Sequence, residues 1–185
     1  MTGSAGTNGG MRVREARPGE SDKLRELLSD AYGQYAGAVA VRALFDHYLA
    51  GVLDVDGSPE ATVLVAELDG GIAGTARFHP AGTVPFLPGE WAWVRAVGVR
   101  PGLRRAGVGR ALMADGLRRA ADGGAQVLSL HTMAFMPDAV RMYERLGYRR
   151  APEHDIDLAH HYGVGGEMVA LAYRLDLPPG VSSGH

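Results

Sequence analysis

The residues best suited to chemistry lie in one short run, Arg104-Arg105-Ala106-Gly107-Val108-Gly109-Arg110. It follows a stretch of strand character ending at Val97-Gly98-Val99 and precedes an amphipathic stretch opening near Gly109. The first turn of a helix carries unpaired backbone N–H groups and a partial positive charge, so it attracts phosphate oxygens. Gly107 and Gly109 lack the Cβ atoms that would hold a diphosphate away from those amides. Arg104, Arg105 and Arg110 add charge-assisted donors. Between Arg95 and Arg119 there are seven arginines and a single acid, Asp115, in a chain whose formal net charge is -2. A local anion site of this kind suits a ligand with clustered phosphates.

Two well-known phosphate readers do not fit. A P-loop needs Lys-Ser/Thr after its second glycine, and Arg110-Ala111 stands there. A dinucleotide fingerprint needs a third glycine three residues on, where the chain has Leu112.

The elements that must position this run are legible in outline. Arg12–Ala16 reads as a first strand, broken by Pro18-Gly19. Leu24, Leu27, Leu28, Ala31 and Tyr35 recur at helical spacing, and Val41, Leu44, Phe45, Tyr48, Leu49 and Val52 repeat the pattern. Ala61–Leu68 and Ile72–Phe78 flank Asp69-Gly70-Gly71, which is hairpin chemistry. A Pro/Gly-bearing loop, 79–89, leads to a third sheet segment, Trp91–Val99. Gly109, Leu112, Met113, Gly116, Leu117 and Ala120 mark one helix face, closed by Gly123-Gly124. Gln126–His131 is strand-like, Pro137-Asp138 opens a further helix that stops at Gly147, Tyr148–Arg150 is extended, and Met168–Leu175 is a last strand. The order β-α-α-β-β-β-α-β-α-β-β describes a mixed α/β domain of α+β type around one central sheet.

Composition limits the alternatives. A chain of 185 residues has one-domain length, and 46% apolar with 22% charged residues is ordinary for a globular protein. Residues 1–10 and 178–185 are expected to be flexible tails around a single domain at 11–177. The opening lacks an apolar signal core and no stretch has the length of a membrane span, so the cytoplasm is the expected compartment and no membrane is expected as a partner. The net charge gives no global field for nucleic acid, and the basic run is short and glycine-bound, so no nucleic acid is expected either. The chain has no Cys, which removes a disulfide, a thiolate metal site and a Cys nucleophile. Glu153, His154, Asp155, Asp157, His160 and His161 form a metal-capable stretch, but their spacing matches no zinc or calcium loop, and no metal is expected.

The run Val97–Gly109 resembles motif A of the GNAT superfamily of N-acetyltransferases, Arg/Gln-x-x-Gly-x-Gly/Ala after a strand ending in Val-x-Val, with Arg104, Gly107 and Gly109 in the matching places. A second family block, small residue–x–x–x–Tyr–x–x–x–Gly–aromatic, is similar to Ala139, Tyr143, Gly147 and Tyr148. One departure stands out: Met136 occupies a position where many members have Asn. The resemblance implies a GNAT-like central mixed β-sheet with helices on both faces and acetyl-CoA as co-substrate. It implies that Val97, Gly98, Val99 and Arg104 to Arg110 (Arg105, Ala106, Gly107, Val108 and Gly109 between them) bind that cofactor, with a splayed strand at Val97–Val99 offering N–H groups to the thioester carbonyl. It places the general acid at Tyr143, whose alternative reading is a core aromatic. Glu90 stands where many relatives carry a basic carboxylate; His131, with an ordinary pKa suited to the task, is its rival. The implied activity is acetyl transfer to a primary amine of a small molecule or peptide. Without Cys, direct attack in a ternary complex is the expected route. A silent acyl-CoA-binding sensor is the alternative. Phe86, Trp91 and Trp93 belong either to an acceptor pocket or to the core, the carboxylates of 153–157 are candidates to draw in a cationic amine, and dimerisation through the C-terminal strands stays open.

Overall fold

The computed structural model describes residues 10–178. The tails expected at 1–10 and 178–185 lie outside that range apart from Gly10 and Pro178. In chain order the elements are β1 (Arg12–Glu15), α1 (Ser21–Gly33), α2 (Arg42–Leu53), β2 (Thr62–Leu68), β3 (Gly71–His79), β4 (Trp91–Val99), α3 (Val108–Asp122), β5 (Val127–Met133), α4 (Pro137–Arg145), β6 (Arg149–Arg150), β7 (Ile156–Asp157), α5 (Leu158–Tyr162) and β8 (Val169–Asp176). The strands form one mixed sheet in the order β1-β2-β3-β4-β5-β8-β6, with β7 also on β8. One apolar cluster joins Val108, Leu112 and Met113 of α3 to the sheet, and another joins Leu24, Leu28 and Leu44 of α1 and α2 to it. Both faces of the sheet are therefore covered, as a central strand such as β4 requires. No helix among the described residues is long and apolar enough to cross a membrane.

Sequence periodicity locates these elements to within a few residues, with one exception. The polar stretch 153–161 carries no apolar repeat, yet it holds β7 and α5. Here local bonds stand in for periodicity: the Asp157 carboxylate accepts from the His160 N–H at 3.1 Å, and Gly163 closes α5 with φ 65°.

The pairing of β4 decides what the sheet can do. It runs parallel to β5 over Trp91–Val94 and Val127–Leu130. Beyond Val94, β4 continues along β3, while β5 continues along β8 to Met133. The two strands part, and one side of Arg95–Val99 is left without a strand neighbour. The register between β3 and β4 slips by one residue between Thr75 and Arg77, and Ala96 sits at φ 50°. That is a bulge, which bends the strand and re-aims its side chains. Tyr32 on α1 holds it, its hydroxyl donating to the Val97 carbonyl at 3.0 Å. Two glycines let the helices close on this stretch from both sides. A Cβ on Gly98 would stand 2.7 Å from Leu28 Cδ2, and one on Gly74 would stand 2.6 Å from Val108 Cγ1. Gly98 is thus required by the packing of α1.

On the α2 side, Arg77 and Arg95 are cross-strand neighbours. Arg77 donates to the carbonyls of Gly51, Val52 and Asp54 at the end of α2, where the helix dipole is negative. Beside them His79 is buried with its Nε2 unpartnered. Burial, then Arg95 and Arg77, hold its pKa down to about 4. An unfolded histidine titrates near 6.5, so between those values the unfolded chain binds the proton that the folded one refuses. Stability should fall as pH drops from about 6.5 to 4 and be unaffected above that window. Glu20 acts lower down: the Arg14 guanidinium and the Arg17 N–H hold its carboxyl at about 2, so its contribution is lost as pH falls from about 4.5 to 2. Melting curves against pH should show both windows; His79→Gln should flatten the upper and Glu20→Gln the lower. An unchanged upper slope in His79→Gln would refute the assignment.

Candidate active site

The parting of β4 from β5 opens a cleft of ≈ 730 Å³, walled by Arg95–Val99, the 103–110 turn, α1 and α4. At one end lies the start of α3. Gly107 precedes the helix at φ 82°, and the first helical bond runs from the Ala111 N–H to the Gly107 carbonyl at 2.9 Å. The amides of Val108, Gly109 and Arg110 come before that bond and have no intrahelical acceptor. No side chain caps this end and its first turn holds no acid. The positive end of the α3 dipole is therefore open to an anion.

Most residues of the anion run reach the cleft. Arg104, Arg105, Gly107, Val108, Gly109 and Arg110 line it, whereas Ala106 does not. The Ala106 N–H is turned back to the Leu103 carbonyl at 3.3 Å. Arg104 donates to Gln34 Oε1 at 2.7 Å, tying the turn to the end of α1. The side chain of Val108 is buried in the core, which leaves its amide as the part that can meet a ligand. A Cβ on Gly109 would come 3.1 Å from Met142 Sδ, so this glycine also serves the contact between α3 and α4. The seven-arginine count overstated the patch. Arg100 donates to the Ile72 carbonyl, and Arg118 and Arg119 pair with Asp115. Three arginines, Arg104, Arg105 and Arg110, stand at the turn.

Tyr143 lies on the wall of the same cleft as that turn, with Val97, Gly98 and Val99. The spacing Tyr143–Gly147–Tyr148 has a backbone cause. The Tyr148 N–H bonds to the Tyr143 carbonyl and the Gly147 N–H to the Glu144 carbonyl, both at 3.0 Å, with Gly147 at φ 90°. This is a Schellman closure of α4. Tyr148 then packs edge-on to Tyr143 with ring centroids 6.1 Å apart. Burial pushes the Tyr143 hydroxyl well above the usual phenol range, so it stays protonated across the working pH range.

The two candidate bases fare differently from Tyr143. Glu90 is exposed in the turn before β4 and is absent from the cleft wall. Seven residues of extended chain separate it from Val97, roughly 23 Å. Glu90 and Val97 thus stand at opposite ends of β4. His131 does line the cleft, but both its nitrogens are engaged. Trp93 Nε1 donates to its Nδ1 at 3.1 Å, and its Nε2 lies 2.9 Å from the His154 carbonyl. The pair of bonds assigns the Nε2–H tautomer and leaves no free lone pair. Burial lowers its pKa as well. Asp138 is the one carboxylate on the wall among the described residues, and it pairs with Arg141.

Trp91 and Trp93 are core residues and Phe86, 52% exposed, packs edge-on to Trp93; none of the three lines the cleft. The carboxylates of 153–157 do not line it either. Asp155 is bound by Arg150 and the Ala172 N–H, and Asp157 caps α5, so they have structural duties. Met136 is buried beside the cleft without a polar group to offer. Thr132 on β5 faces the same cleft with a buried, unpartnered Oγ1, a residue that sequence reading missed because an isolated Thr in a strand carries no signal. Arg95 entered the sequence reading only as one of the seven arginines; its place on the cleft wall depends on the parting of β4 from β5, which no local spacing shows.

The chain is similar to known proteins in both sequence and fold. The family model described as the acetyltransferase (GNAT) family matches residues 21–148. The mycothiol acetyltransferase of Nocardiopsis dassonvillei is 33% identical over 154 residues, 72% of this chain and 45% of that protein. That of Cellulomonas flavigena is 38% identical over 94 residues, 49% of this chain and 27% of its own length. The chain thus spans less than half the length of either relative. Among solved structures, the ribosomal-protein-S18-alanine N-acetyltransferase of Escherichia coli superposes with TM-score 0.64 at 17% identity, covering 95% of this chain and 99% of that one. The PaiA N-acetyltransferase of Thermoplasma acidophilum, solved with coenzyme A, gives TM-score 0.67 at 9% identity over 91% and 99%. These likenesses carry the fold.

Proposed function

The chain belongs to the acetyltransferase (GNAT) family, and from that membership and the cleft we propose that it moves an acetyl group from acetyl-CoA to a primary amine by direct attack in a ternary complex. The observation that carries the reading is the meeting, on one cleft, of an uncapped α3 N-terminus with three arginines, an unpaired length of β4, and Tyr143. The solved PaiA relative holds coenzyme A. In this reading the diphosphate sits on the amides of Val108, Gly109 and Arg110, with Arg104, Arg105 and Arg110 around it. The pantetheine arm runs along β4 from Val99 toward Val97, whose unpaired side offers main-chain donors to the thioester carbonyl. A preorganised donor aimed at the oxyanion is worth about 3 kcal/mol.

The amine nitrogen attacks the acetyl carbon, the C–N bond forms, and the oxyanion collapses with loss of the C–S bond. One proton leaves the nitrogen and one must reach the departing sulfur. Tyr143 supplies the latter and is reprotonated from solvent. Its burial makes it a weak acid, so placement outweighs acidity. The former has no side chain waiting for it: Glu90 is remote and His131 is saturated. The amine enters neutral and gives its proton to water.

This predicts a particular pH profile. kcat/KM should rise about tenfold per pH unit and level off at the pKa of the acceptor itself, near 8 for an α-amine and near 10 for an alkyl amine. Changing the acceptor should move the break. A break fixed near 6 to 7 for every acceptor would point to an enzyme base instead. The direct test of the function is thiol release from acetyl-CoA with a panel of amines. Turnover with any of them supports transfer; binding of acetyl-CoA without turnover would favour a sensor.

A further inference from the structure

We propose that the acceptor is a small amine bearing a carboxylate, and that the guanidinium of Arg95 takes that carboxylate. The inference rests on the acetyl-transfer reading and names its substrate class.

Arg95 lines the cleft four residues before Val99 on β4, roughly 13 Å along the strand from the α3 end. It therefore belongs to the end that the thioester and the acceptor share. Its known contacts leave donors over. Nη2 reaches the Gly51 carbonyl at 3.1 Å, and the guanidinium lies 5.1 Å from the Trp93 ring centroid. Among the described residues it makes no ion pair, its one hydrogen bond is through Nη2, and the half-buried side chain stands on the cleft wall with Nε and Nη1 left over.

The surroundings make this position strongly selective for charge. Arg77, its cross-strand neighbour, adds a second cation and is almost wholly buried. Arg77 uses its Nη donors on main-chain carbonyls and also has no carboxylate in contact. Asp54 acts on both arginines through space alone, and the groups around Arg95 also include the phenols of Tyr32, Tyr48 and Tyr162 and the rings of His79 and His131. Tyr32 and Tyr48 also line the cleft. A guanidinium held among aromatic walls with no carboxylate in contact is costly. A planar carboxylate matches its donor fork, and the low local dielectric strengthens the bond. The only carboxylate on the cleft wall among the described residues, Asp138, belongs to α4 and is paired. A polyamine would meet Arg95 with nothing to neutralise it.

The test uses the full chain and three matched sets of amines: the common amino acids, their carboxamides, and the corresponding decarboxylated amines. Calorimetry with acetyl-CoA comes first, and thiol release then gives kcat/KM for each. The expected result is a preference of about 10- to 100-fold for at least one amino acid over its own carboxamide and amine, the range set by one charge-assisted hydrogen-bonded pair. In Arg95→Gln that ratio should fall to within about threefold, with the acetyl-CoA Kd unchanged; Arg95→Lys should keep part of it. Equal or better turnover of the neutral or cationic partners overturns the inference while leaving acetyl transfer intact. So does acetyl-CoA binding with no amino acid turned over. Failure to bind acetyl-CoA removes the acetyl-transfer reading itself. If Arg95→Gln does not fold, the wild-type ratios alone decide.

Discussion

Tyr143→Phe lowers kcat about 100-fold and leaves the affinity for acetyl-CoA within about twofold, the lower range of what a positioned proton donor contributes. The substitution removes one oxygen from a ring that is 5% exposed and packed against Tyr148. The ring, the Schellman closure of α4 and the contact with Tyr148 all survive it, so the melting temperature should hold. A purely structural tyrosine would give the opposite pattern, with stability lost and turnover kept. The loss should be largest with the poorest leaving group, because a thiolate of higher basicity needs the proton more. Steady-state kinetics with acetyl-CoA, together with circular dichroism of the variant, provides the check. Full turnover in Tyr143→Phe would remove the acid role.

Gly107→Asp weakens acetyl-CoA binding by about 100-fold or more, in line with the several kcal/mol that juxtaposed like charges cost. Gly107 is exposed at φ 82°, with nothing within 4 Å of the place a Cβ would take. Asp and Asn tolerate that backbone region better than other L-residues, at a cost of about 1–2 kcal/mol at most. The fold should survive, while the new carboxylate stands where the diphosphate is drawn by the α3 amides and three arginines. Gly107→Asn carries the same strain without the charge and serves as the control. Calorimetry should show most of the affinity retained in Gly107→Asn and lost in Gly107→Asp. Equal losses would mean that backbone strain, not charge, is responsible; no loss in either would mean that the turn does not hold the phosphates.

Much of the molecule is legible in its amino-acid sequence, and the reason is the range over which the governing forces act. The turn from β4 into α3 depends on residues within a few positions of one another: glycines at the helix start, apolar residues at helical spacing, Gly123-Gly124 at its end. The Tyr143–Gly147–Tyr148 spacing is likewise set by hydrogen bonds closing over five residues. Such signals are written in consecutive residues, so the anion turn and the general-acid candidate were both legible.

What the tertiary structure alone decided concerns pairs far apart in the chain. The cleft exists because β4 leaves β5 after Val94 and because a bulge at Ala96 is held by Tyr32, 65 positions from its partner Val97. His131 loses its lone pair to Trp93, 38 positions away. Glu90 falls at the wrong end of its strand, and Arg95 is turned toward the end of α2 and the cleft. None of these follows from residue type or local spacing, because strand register and helix docking are set by which apolar surfaces fill one another across the sheet. Local backbone chemistry is encoded where it acts; the contents of a cleft are fixed by the packing that encloses it.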